Sequence, residues 1–135
     1  MRETVFTKIV KGEIPCFKLG ENENAFAFLD INPVTEGHSL VVPKYPYRNI
    51  FDTPENILGD VIVLAKEVAI LLKDKLGADG INIVSSNGRE ANQEIEHLHF
   101  HVVPRYKKES LNIWQELRKY QVTETIEDVY KKIKS

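Results

Sequence analysis

Cysteine, methionine and tryptophan each occur once in these 135 residues. The lone thiol, Cys16, rules out an internal disulfide and favours a reducing compartment. With no partner pattern around it, Cys16 reads as a packed thiol. An excess of one charge is also lacking. Eighteen Lys and Arg against twenty Asp and Glu leave a net −2, so no basic field exists to draw in nucleic acid. The longest apolar stretch, near Val61–Leu72, is broken by Lys66 and Glu67 and is too short and too charged to span a membrane. The opening Met1-Arg2-Glu3-Thr4 carries no apolar signal core, so the expected location is cytoplasmic. Repeats, low-complexity tracts and linkers are missing as well, and residues 1–135 are expected to form a single domain. Apolar residues at 42% and charged residues at 28% exclude disorder as the dominant state.

What is present reads as alternating strand and helix patterns. Phe6–Lys11 suits a short helical turn ended by Gly12. Ala25–Asp30, short and aromatic, and His38–Pro43, stopped by a proline, suit buried strands. A long helix is expected over 54–76, with Thr53 as N-cap, Pro54 in the first helical position and Gly77 at its end. Its apolar residues form a wide stripe, compatible with burial on two sides. Ile81–Ser85 and His97–Pro104 are two further strands. Thr125 with Asp128 resembles a capping box, after which Ile126, Val129, Tyr130 and Ile133 line one face of a terminal helix. Without regular βαβ alternation, the expected class is α+β with an antiparallel sheet.

Three of the four histidines fall in His97-Leu98-His99-Phe100-His101. On a strand, Leu98, Phe100 and Val102 share one face and the three imidazoles the other. Three titratable rings in a row make a poor structural device, since each needs partners if buried and they repel when protonated. A solvated polar face, a metal site and a phosphate site compete as explanations. At ~3.3 Å per residue the first and third backbones lie about 13 Å apart, so two rings can share a metal but three cannot without strain. Rings spread along a phosphate chain, one attacking and the others binding oxygens, fit the spacing better. The preceding Ser85–Gln93 loop is rich in hydroxyls, amides and turn formers that can present donors to phosphate.

The run His97-Leu98-His99-Phe100-His101-Val102-Val103 resembles the signature of the histidine triad (HIT) superfamily. Val5–Pro15 is similar to that family's opening segment, and Ala27–Pro33 with Gly37–Lys44 to its nucleoside-binding segment. The likeness runs from about residue 4 to Arg105 and is greatest to the Hint branch. It implies a HIT-like fold, a five-stranded antiparallel sheet with one long and one shorter helix, followed by a C-terminal extension over roughly 107–135. It also implies that His99 is the nucleophile toward an α-phosphate, that His101 contacts phosphate, that His97 orders the network and holds its neighbour's tautomer, and that His38 lies near the leaving group. Asp30 would bind ribose, with Phe6, Ile9, Ile14, Phe28 and Ile31 around the base.

Departures from the family pattern fall on the rim. Ser86, with Asn87 beside it, stands where the family has Asn or Gln; Asn92 replaces a Gly; Gln93 fits; Glu94 replaces a Ser found in animal relatives. All four of Ser86, Asn87, Gln93 and Glu94 are candidate nucleotide contacts. Thr4 and Thr7 stand where some relatives have zinc-binding cysteines, and 44–47 lacks the matching histidine, so no metal and no cofactor is expected. The resemblance implies a nucleotide hydrolase that acts on purine nucleoside phosphoramidates or related nucleoside monophosphate conjugates and releases AMP. A dinucleoside polyphosphate hydrolase and a nucleotide-binding regulatory protein with little turnover are the alternatives. It implies a homodimer, with Trp114 either near a partner's site or packed locally, and neither nucleic acid nor membrane as partner.

Overall fold

The computed structural model describes residues 1–109 and 112–135, so positions 110 and 111 of the expected extension lie outside the described residues. The elements are α1 (Val5–Val10), β1 (Lys18–Glu21), β2 (Ala25–Leu29), β3 (Ser39–Pro43), α2 (Glu55–Leu76), β4 (Gly80–Val84), a 3-10 turn (Arg89–Ala91), β5 (Phe100–Arg105), α3 (Ile113–Leu117) and α4 (Ile126–Lys134). The strands form one antiparallel sheet in the order β1-β2-β3-β5-β4. This is the expected α+β architecture, with α2 as the long helix and α1, α3 and α4 all short.

Strand alternation sorts two cores onto two faces of the sheet. Ala25, Ala27, Val41 and Val102 pack against Val61, Leu64, Ala65, Val68 and Leu72 of α2. Phe26, Phe28, Leu40 and Val42 face the other way and meet Phe6 of α1. Leu40 lies opposite His101 in the β3–β5 ladder, so His101 belongs to the α1 side of the sheet. Burying the valines and leucines of α2 contributes roughly 1.5–3 kcal/mol each. Gly37 sets the turn into β3 at φ 95; a Cβ there would lie 2.6 Å from Leu76 Cδ1, so only glycine lets this turn close on the end of α2.

Several elements differ from the sequence reading. β5 starts at Phe100 rather than His97, because the amide of Leu98 bonds Tyr47 O and that of His97 bonds Ile95 O instead of joining a ladder. Pro54, not Thr53, is the N-cap of α2; the Thr53 hydroxyl donates to Asn49 O. β1 has no apolar alternation to announce it, being a partly exposed edge strand with a register shift between Lys18 and Gly20. The Thr125 hydroxyl caps α4 by accepting from the Asp128 amide, but the expected apolar face is not buried: Ile126, Tyr130 and Ile133 are all exposed. No helix of the described residues is long and apolar enough to cross a membrane.

Candidate active site

The α1 face of the sheet holds a cavity of about 570 Å³, within the ~300–1,000 Å³ range of small-molecule sites. His38, His99 and His101 line it, together with Asp30, Ser86, Glu94 and the apolar set Phe6, Ile9, Ile14, Phe28 and Ile31. The structure thus brings together the base-site, ribose-site and histidine candidates. His97 lies outside the lining and is fully buried behind it. Asn87 and Gln93 are also absent from the lining, because their side chains hold the loop together. Asn87 Oδ1 accepts from the Ile50 amide at 2.8 Å, and Gln93 bridges Gly88 N, Arg48 O and Ile95 O. Asn92 sits at φ 66, the left-handed conformation that this residue type tolerates.

Fixed backbone groups determine the proton on every ring. The Nε2 of His97 lies 2.7 Å from Pro43 O, a pure acceptor, so Nε2 carries the hydrogen. Its Nδ1 then accepts from the Thr4 hydroxyl at 2.7 Å. His99 Nδ1 donates to the His97 carbonyl at 2.8 Å, which leaves Nε2 of His99 with a bare lone pair. A second chain starts at the Val34 amide, which donates to His38 Nδ1 at 3.0 Å. His38 Nε2–H therefore donates to His101 Nδ1 at 2.9 Å, and His101 keeps Nε2–H as a donor for a ligand.

Burial holds the rings neutral. It is the main cause that lowers the pKa of all four, to about 4 for His97 and for His101. The mutual repulsion that makes a histidine row a poor structural device is removed by keeping it uncharged. Asp30 Oδ2 stands 3.6 Å from His38 Nε2, too far for a hydrogen bond, and the neutral ring makes no ion pair with it. The carboxylate is anchored instead by the Asn32 amide at 2.9 Å. Asp30, His38 and His101 each bring one ligand atom to within 4.8 Å of the others. A metal bound by these three would have to displace the His38–His101 hydrogen bond.

Two contributors escaped the sequence reading. Thr4 fixes His97 from 93 positions away; its spacing to Thr7 forms a capping box, which was the only local signal. Cys16, expected to be a packed thiol, does pack, half-buried, against the core of Phe6, Phe26 and Phe28, and it lines the cavity as well. Phe6 does more than line the site: its ring meets those of His97 and His99 edge-on, at 5.3 and 5.1 Å between centroids.

A five-stranded antiparallel sheet that buries one such histidine run beside a cavity, with a long helix behind, defines a histidine triad protein. The HIT domain family matches residues 11–108, and the chain belongs to that family. It is 50% identical over 103 residues to an uncharacterised HIT-like protein of Methanocaldococcus jannaschii, covering 76% of this chain and 79% of that protein. It is 42% identical over 106 residues to the adenosine 5'-monophosphoramidase HNT1 of Saccharomyces cerevisiae, covering 78% of this chain but only 65% of that protein. A crystal structure of a Streptococcus mutans protein superposes with a TM-score of 0.81 at 33% identity, covering 98% of this chain and 87% of that one.

Proposed function

We propose that this protein hydrolyses purine nucleoside phosphoramidates, or related nucleoside monophosphate conjugates, through a nucleotidyl-His99 intermediate and releases AMP. The observation that carries the reading is the bare Nε2 lone pair of His99 on the cavity floor, fixed there by the Nδ1–H bond to the His97 carbonyl. A neutral imidazole is a good nucleophile near pH 7. His99 Nε2 attacks the α-phosphorus as the bond to the leaving nitrogen breaks, and that nitrogen departs as an amine after taking a proton from water. The His97 carbonyl stabilises the positive charge that appears on the substituted ring. Water then attacks phosphorus, gives its proton to the hydroxide left by the first step, breaks the P–Nε2 bond and frees AMP. His101 Nε2–H and the Ser86 hydroxyl donate to phosphoryl oxygens. Asp30 accepts from the ribose hydroxyls, and the base lies among Ile9, Ile14, Phe28 and Ile31. The yeast relative's name supports the phosphoramidate as substrate. No step calls for a metal or a cofactor.

The proposal includes a cytoplasmic homodimer of single HIT domains with an extension past about residue 107. The apolar residues Ile62, Val63 and Ile70 on the outer side of α2 are exposed, as is Ile83 on edge strand β4. A hollow of about 340 Å³ lined by Ile50, Leu58, Ile62 and Phe100 adjoins them. A patch of this kind suits an isologous contact. Hydrolysis of an adenosine phosphoramidate by the wild type, and its loss in His99→Ala, is the expected result. A diadenosine polyphosphate cleaved in its place would favour the alternative hydrolase, and equal rates for wild type and variant would refute the nucleophile.

A further inference from the structure

The cavity has an unusual charge inventory for a site that handles phosphate. Beside the Cys16 thiol, its ionisable lining consists of three imidazoles and two carboxylates, Asp30 and Glu94; neither lysine nor arginine lines it. With the imidazoles neutral, the two carboxylates set the charge of the lining. Both act on His99 through space, each favouring its protonated form. Asp30 is anchored by the Asn32 amide beside His38. Glu94 is different. It is exposed, and among the described residues no hydrogen bond or ion pair engages its carboxylate. Arg48 pairs with Glu96 at 2.8 Å, and neither Arg48 nor Arg89 lines the cavity.

Glu94 and Ser86 reach the cavity from the β4–β5 connection, whereas Asp30 and Ile31 reach it from the β2–β3 connection. A nucleoside seated on Asp30 therefore leaves Glu94 to the other part of the ligand. An unpaired carboxylate there repels an anionic leaving group, such as a polyphosphate chain, and attracts a cationic one. We propose that Glu94 is a specificity-determining residue that selects nucleoside monophosphate conjugates whose leaving group carries a positively charged ammonium. The selection rests on the hydrolase reading above, and adds to it the charge class of the leaving group.

Two AMP phosphoramidates of equal length test it, one ending in a trimethylammonium group and the other in its uncharged tert-butyl isostere. The ratio of their kcat/KM values, compared across wild type, Glu94→Gln and Glu94→Lys, cancels any intrinsic difference in reactivity. A solvent-exposed charge contact corresponds to roughly a five-fold change. The cationic-to-neutral ratio is expected to fall by about that factor in Glu94→Gln and further in Glu94→Lys, with the differences shrinking at high salt. Equal ratios in all three proteins, with normal turnover, would overturn the role of Glu94 and leave the hydrolase reading intact. Failure of the wild type to cleave either compound would overturn both. Because Glu94 is exposed, unchanged thermal melting of the variants is the expected control.

Discussion

Thr4 joins the amino-terminal helix to the histidine run, and Thr4→Val isolates that junction. The hydroxyl donates to the buried Nδ1 of His97 at 2.7 Å and accepts from the Thr7 amide at 3.1 Å. Removing it strips an acceptor inside the protein of its partner, which costs about 1–3 kcal/mol. It also uncaps α1, at about 1 kcal/mol. The expected loss is therefore about 2–4 kcal/mol, seen as a lower urea midpoint with an unchanged m-value. Thr4→Ser keeps both bonds and is expected to stay within about 0.5 kcal/mol of wild type. Thr125→Val supplies the comparison, because Thr125 caps exposed α4 through the Asp128 amide and touches no ring. Its loss is expected to be about 1 kcal/mol or less. Equal losses for Thr4→Val and Thr125→Val would refute the claim that Thr4 supports His97.

The depressed pKa of His97 makes stability depend on pH with a definite sign. The folded value of about 4 lies below the ordinary 6.5, so between these values the unfolded chain binds more protons. Stability should be full above pH 6.5 and decline by ~3 kcal/mol from this residue as pH falls to 4; a urea midpoint that stays flat over that window would contradict the burial. Asp30→Asn should weaken binding of AMP by ~10-fold or more, the loss of a charge-assisted hydrogen bond, and should abolish the preference for AMP over 2'-deoxy-AMP in competition. A preference that survives would place the ribose elsewhere. Ile62→Asp should convert a dimer to a monomer in sedimentation equilibrium, and an unchanged mass would move the interface off the outer face of α2.

Legibility in the sequence followed the range over which each signal acts. Period-two alternation is local, and it placed His97, His99 and His101 on one side correctly even though the strand begins only at Phe100. The cap at Gly77 was equally local, a left-handed residue after a lysine-rich last turn. The partners that fix the rings are not local: Pro43 O is 54 positions from His97 and Val34 N approaches His38 around a turn. No pattern in the chain announces a backbone carbonyl as a tautomer lock. In particular, the sequence has His97 hold its neighbour's tautomer but does not say by which atom, and the atom that meets His99 Nδ1 is the His97 carbonyl oxygen. The rim behaved similarly. Ser86 and Asn87 are adjacent and both polar, and Asn87 is held out of the lining by the Ile50 amide, 37 positions away, and by Ser85, while Ser86 lines the cavity. The apolar face of α4 is legible as a pattern, but periodicity reports a face without saying what covers it, and Ile126, Tyr130 and Ile133 are exposed.

The most direct test of the central claim is the position of the trapped nucleotide. The protein is mixed with an adenosine phosphoramidate, quenched in the first turnover under conditions that preserve a phosphorus–nitrogen bond, and mapped by peptide mass spectrometry. The expected result is one adenylyl group on His99, absent in His99→Ala. An adenylyl group on His97 or His101, or continued hydrolysis by His99→Ala, would contradict it.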